Sequence, residues 1–136
     1  MSGCVLDTDV VIAALDRHDA HHATAARALM RMIEQDTPLL LSTVNYAEAL
    51  VRPADDERTL RAATDAIAVL GVRLVAPTPP VARDAARHRG LAISLADGFA
   101  IATAQAHGAS VATFDRRVRR AVRRLDVALA PGLGER

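Results

Sequence analysis

The chain has no lysine at all; its 17 basic residues are all arginine. This removes every mechanism that depends on a catalytic or phosphate-gripping lysine. Aromatic residues make up 2 %, with no tryptophan, so the core must be aliphatic and aromatic platforms for stacking single-stranded bases are scarce. The single cysteine, Cys4, has no internal disulfide partner, and its place in an apolar run suits a core residue better than a catalytic thiol. No apolar stretch reaches membrane-spanning length, and no basic-then-apolar leader precedes the first apolar run. The expectation is a cytoplasmic protein without membrane contact.

At 136 residues the chain is long enough to bury a real core, and one domain over 1–136 is expected, since no linker, repeat or low-complexity segment interrupts it. The net charge of +1 conceals an asymmetry. Acids outnumber arginines before Leu70, and the balance reverses after it. Arg116, Arg117, Arg119, Arg120, Arg123 and Arg124 crowd the C-terminal part. Such a run is the footprint of a phosphate backbone, a solvated helix face or a docking patch for an acidic partner.

Apolar runs alternate with helical periodicities. Val5-Leu6 forms a short buried strand, followed by a helix from Val10 to Leu15 and an amphipathic helix from His21 to Glu34. Leu39 to Leu41 gives a second strand, and a helix capped by Ser42 or Thr43 then runs until Pro53 stops it. The spacing predicts a helix over 55–70, with Asp55, Asp56 and Glu57 in its first turn. A strand over 72–75, a helix ending at Gly90, a helix opened by Ser94, a strand over 110–114, an arginine-rich helix and a short strand over 127–130 complete the chain. Strands alternating with helices predict an α/β fold, a three-layer α/β/α sandwich with a mainly parallel central sheet.

Four carboxylates occupy informative places. Asp7 and Asp115 each end a strand, where a side chain faces the ligand crevice of an open α/β sheet. Asp97 sits in the first turn of the helix opened by Ser94, and Glu48 is alone among small and apolar neighbours. Each has a plain structural alternative: Asp7 and Asp115 as N-caps, Asp97 as half of a capping box, Glu48 as an i,i+4 partner of Arg52. Gly98 within a helix costs about 1 kcal/mol relative to alanine, and a close backbone approach explains it. His18, His21 and His22 read as surface histidines, because no cysteine or HExxH pattern accompanies them.

The four acids can meet at one sheet edge, where their mutual repulsion calls for a cation. Oxygen-only donors suit Mg²⁺, with Mn²⁺ as a substitute, and such a site serves in-line attack of a metal-activated water on a phosphodiester.

These residues resemble PIN-domain ribonucleases, specifically the VapC toxins of toxin–antitoxin pairs. The resemblance rests on Val5-Leu6-Asp7-Thr8-Asp9, on Ser42 with Ala47-Glu48, on Leu95-Ala96-Asp97 with its small-residue helix, and on Ala112-Thr113-Phe114-Asp115. It implies a PIN-like sandwich and a catalytic set of Asp7, Glu48, Asp97 and Asp115, with Asp7 and Asp97 as the principal Mg²⁺ ligands. It further implies orienting hydroxyls on Thr8 and Thr113, RNA as substrate, a small VapB-type antitoxin and a homodimer. Two departures stand out. Asp9 replaces the Ser or Asn common in that family, so it supplements the site or caps a helix. Arg116 and Arg117 occupy positions where many members carry another acid or amide, which suggests that here they hold RNA phosphate.

Two other readings compete. A haloacid-dehalogenase-like phosphatase also opens with a strand and Asp-x-Asp, the first Asp being a covalent nucleophile, but such enzymes resemble one another in needing a later basic residue, typically lysine, and Glu48 would be left without a role. A PIN-like module that binds RNA or protein without cutting is the non-enzymatic alternative, though it would have no use for a repulsive acid cluster.

Overall fold

The computed structural model describes residues 2–134. Four short strands, β1 (Cys4–Leu6), β2 (Leu39–Ser42), β3 (Arg73–Val75) and β4 (Ser110–Ala112), form an all-parallel sheet in the order β3-β2-β1-β4. Register is fixed by Cys4 opposite both Leu39 and Ser110, and by Leu40 opposite Arg73. The chain winds outward from β1 through β2 to β3, then returns to place β4 on the other side of β1. That reversal makes the carboxyl ends of β1 and β4 the topological switch point, where such sheets bind their ligands.

Among the described residues seven α-helices cover the sheet: α1 (Thr8–Leu15), α2 (His22–Glu34), α3 (Thr43–Ala49), α4 (Glu57–Val69), α5 (Pro79–His88), α6 (Leu95–His107) and α7 (Arg116–Arg124). Successive strand residues point to opposite faces, and the core divides accordingly. Cys4, Leu6, Leu39 and Leu41 face Val10, Leu29, Met32 and Ile67, whereas Val5, Leu40 and Val111 face Ile101, Ala104, Val118 and Val122. Two apolar layers with the sheet between them define the α/β/α sandwich. Cys4 lies in the first, and burial pushes its thiol up to about 11, which leaves it inert at neutral pH.

Three details differ from the sequence reading. Asp55 belongs to a 3-10 turn over Pro53–Asp55, and Asp56 is the N-cap of α4 through its bond to the Arg58 N–H. Only Glu57 of the three acids stands in the first helical turn, because Pro53 starts a separate turn before α4 begins. The segment over 127–130 makes an isolated parallel bridge, Val111 to Leu129, too short to count as a strand. Among the described residues no helix is long and apolar enough to cross a membrane.

Gly98 has the role its oddness suggested. A Cβ built on it would lie 2.7 Å from the carbonyl oxygen of Ala85, so glycine is what lets α6 approach α5. Helix propensity favours Ala over Gly by about 1 kcal/mol, but overpacking against backbone costs about 1–3 kcal/mol. Gly98→Ala is expected to lower the urea midpoint with the m-value unchanged; an unchanged or higher midpoint would mean that α5 shifts freely.

Candidate active site

Four helices begin at the switch-point edge, and their caps carry the polar residues there. Asp7 is the N-cap of α1, Ser42 of α3, Ser94 of α6 and Asp115 of α7. Three of these helices follow directly from β1, β2 and β4, so their N–H groups and positive dipole ends point the same way.

Asp7 is 2 % exposed and held at both oxygens. Oδ1 accepts the Thr8 N–H at 2.9 Å, and Oδ2 accepts the Thr113 hydroxyl at 2.7 Å. That hydroxyl in turn accepts the Asp115 N–H at 3.1 Å, linking the ends of β1 and β4. Burial pushes the Asp7 carboxyl up to about 8; the charges of Asp9 and Asp97 add to the rise, and the bonds from Thr113 and Thr8 oppose it.

Asp9 lies in the first turn of α1, beyond the cap. Its Oδ2 accepts the Phe114 N–H at 3.0 Å, while its buried Oδ1 has no hydrogen-bond partner among the described residues. Burial raises its carboxyl to about 6, against the Phe114 bond and with help from Asp115 and Asp97. Asp97 closes a complete capping box with Ser94: Asp97 Oδ2 accepts the Ser94 N–H, and Ser94 Oγ accepts the Asp97 N–H, each at 3.1 Å. Its carboxyl is also raised, first by burial, with the charges of Asp115 and Glu48 adding to the effect.

Glu48 accepts the Thr8 hydroxyl at 2.5 Å. Thr8 thus orients Glu48 while Thr113 orients Asp7, a division of labour the sequence did not specify. Asp115 caps α7 through the N–H groups of Arg117 at 2.8 Å and Val118 at 3.2 Å.

All four sequence-selected acids therefore stand at one edge, where the charge of Asp97 acts on Asp7 and those of Asp115 and Glu48 act on Asp97. They are anchored separately rather than gathered, and among the described residues no three His, Cys, Asp or Glu side chains form a ready-made metal shell. A magnesium ion does not require one, since it keeps several waters and commonly uses only one or two carboxylates. The donor chemistry fits a hard divalent cation: oxygen-only donors, three carboxyls raised in pKa first by burial and further by neighbouring carboxylates, and a buried Asp9 Oδ1 without a partner among the described residues.

Two polar residues beneath the site escaped the sequence reading. Asn45 is fully buried, and its Nδ2 donates to Thr8 Oγ1 and to the Ala96 carbonyl, both at 3.1 Å. It ties α3 to α1 and to the start of α6. Arg119, 8 % exposed, donates from Nη1 to the Thr113 carbonyl at 2.9 Å, so one member of the arginine run braces the site from within. A signal existed for each. Asn45 shares a helix face with the buried Ala49, and Arg119 falls on the stripe of Val118 and Val122.

A family model, the PIN domain, matches residues 4–124; the chain belongs to the PIN domain family. Its structure is similar to FitAcB from Neisseria gonorrhoeae, at 26 % identity and a TM-score of 0.71, covering 97 % of this chain and 99 % of that one. It also resembles VapBC2 from Rickettsia felis bound to a DNA fragment from their promoter, with 15 % identity, a TM-score of 0.72 and coverage of 93 % and 96 %. A third similar structure is Mycobacterium tuberculosis VapC20, a sarcin-ricin loop cleaving toxin, with 21 % identity, a TM-score of 0.69 and coverage of 88 % and 95 %. Below 25 % identity these likenesses concern the fold alone. No curated protein gives a significant match.

Proposed function

We propose that this chain is a single-domain, divalent-metal-dependent endoribonuclease that acts in the cytoplasm as the toxin of a toxin–antitoxin pair. The observation that carries the proposal is the set of mutually repelling carboxyls at the switch point, with Asp7 raised to about 8. Such crowding is unfavourable in the protein alone and becomes favourable when a cation neutralises it. Asp7 and Asp97 would hold Mg²⁺, or Mn²⁺ in its place, with Glu48 and Asp115 completing the catalytic set and Asp9 supplementing it. The ion would neutralise the scissile phosphate and lower the pKa of water. Thr113 and Thr8 fix the rotamers of Asp7 and Glu48, and the exposed Arg116 and Arg117 at the start of α7 would hold flanking phosphates.

FitAcB and VapBC2 support the antitoxin as partner. A groove of about 680 Å³ between α1, α3 and α4, lined by Ile12, Leu15, Ala49, Val51 and Ala66, offers such a partner an apolar seat, and Glu48 stands on its wall. A segment docked there would reach the acids directly, a simple route to inhibition. The homodimer belongs to the same proposal; exposed Val69 and Leu74 near the β3 edge give a second copy apolar surface.

Cleavage of structured RNAs with Mg²⁺ or Mn²⁺, comparing wild type with Asp97→Asn, tests the reading. The wild type is expected to cut only with the ion present, and Asp97→Asn to be slower by at least about a hundredfold. Equal cutting by both would remove Asp97 from the site. RNA bound but never cut by the wild type would favour the non-cleaving module.

A further inference from the structure

Phe114 also lines a second cavity, of about 700 Å³, between the start of α2 and α7. Arg116, Arg119, Arg120 and Arg123 line it, and no aspartate or glutamate is among its described lining residues. Arg116, Arg120 and Arg123 follow i, i+4, i+7 spacing, which puts their side chains on one face of α7. In its lining the imidazole of His21 is stacked on the Phe114 ring, with centroids 4.3 Å apart and planes 14° from parallel. His21 is exposed. The sequence has few aromatic residues, and the fold spends one of its two phenylalanines here.

This cavity is mechanically joined to the acidic edge. The Phe114 N–H is held by Asp9 Oδ2 at 3.0 Å, and Thr113, one residue earlier, holds Asp7. A strand whose phosphate lies at Asp7 therefore needs to extend only a short way past Phe114 to bring its next phosphates over α7. Guanidiniums ranged along one helix face recognise phosphate oxygens, and an exposed flat ring takes a base.

The geometry points to a nucleotide subsite: the RNA strand flanking the scissile phosphate lays its backbone along Arg116, Arg120 and Arg123 and stacks a base on His21. The aromatic pair favours RNA over an acidic polypeptide, which would use the arginines but not the ring. This rests on the ribonuclease reading given above, and its test separates the two.

The test measures binding of a short single-stranded RNA by the Asp7→Asn protein, with no turnover required, at several salt concentrations. Adding Arg120→Ala is expected to weaken binding and to flatten the log Kd against log salt plot by about 0.7 for each phosphate that is no longer neutralised. Adding His21→Ala is expected to weaken binding by about fivefold or more, but to leave unchanged the affinity for the same RNA made with abasic nucleotides. Both residues are exposed, and unchanged melting curves would show that the variants fold. Unaltered RNA binding by both variants overturns the subsite. So does an equal His21→Ala loss on abasic RNA, or loss of binding confined to a polyglutamate peptide. Wild-type protein that cuts no RNA, while these binding losses appear, would instead overturn the nuclease reading and leave the subsite standing.

Discussion

Asp7→Asn is expected to raise the melting temperature of the metal-free protein while reducing RNA cleavage by about a thousandfold. The two effects have one source. The Asp7 carboxyl titrates near 8 in the folded chain against an ordinary value of 3.8, so between those limits the folded state holds a proton that the unfolded chain releases. The Asp7 contribution to stability is therefore fully present below about pH 4 and is lost as pH rises toward 8. Each pH unit costs about 1.4 kcal/mol, on the order of 4 kcal/mol at pH 7. Asparagine carries no such cost. It accepts one hydrogen bond as the carboxylate did and forces the Thr113 hydroxyl to turn, a loss of about 1 kcal/mol, so the gain prevails. In a chain of this size the melting point should rise by at least about 5 °C at pH 7, and by little at pH 4. Mg²⁺ at a thousand times its Kd should reverse the order, since it adds about 4.1 kcal/mol to the wild type alone. Thermal melts at pH 4 and pH 7, with and without the ion, read all of this. A variant less stable than the wild type at both pH values would show that Asp7 is a structural cap.

How much of this was visible in the sequence depends on how far apart the interacting residues lie. Asp7 was legible because strand, turn and helix are written in consecutive residues, and the same locality exposed the Ser94–Asp97 capping box and the Asp115 cap. Gly98 announced a close approach, yet nothing in the sequence named Ala85 as the residue approached. Asp9 was ambiguous because its partner, the Phe114 N–H, is 105 residues away and comes near only once β4 pairs with β1. The arginine run misled in one respect. Counting charges put Arg119 with its neighbours, whereas helical periodicity places it on the buried stripe, where it holds the Thr113 carbonyl. Glu48 was grouped with the other acids, with an i,i+4 pair to Arg52 as its plain structural alternative, since that is the nearest option on one helix. The fold supplies the Thr8 hydroxyl instead, 40 residues earlier.

Asn45→Ala is expected to cost about 2–4 kcal/mol of stability, although Asn45 is neither catalytic nor apolar. Its Nδ2 must face the Ala96 carbonyl, because that oxygen can only accept, and the same amine reaches Thr8 Oγ1. Truncation deletes both bonds, each worth about 1 kcal/mol, although Thr8 Oγ1 keeps its bond to Glu48. It also leaves a small cavity. The loss is more than energetic. Asn45 is the strut between α3, which carries Glu48, and the first turn of α6, which carries Asp97, so its removal loosens the spacing of two acids on separate elements. Urea denaturation gives the stability, and coupling to Thr8→Val in a double-mutant cycle should be at least about 0.5 kcal/mol, since the two side chains share a bond. Cleavage should fall through kcat rather than KM, because spacing of the acids matters to the transition state and hardly to RNA held by α7. A loss below about 0.5 kcal/mol with kcat intact would mean that the site is spaced by the strands alone.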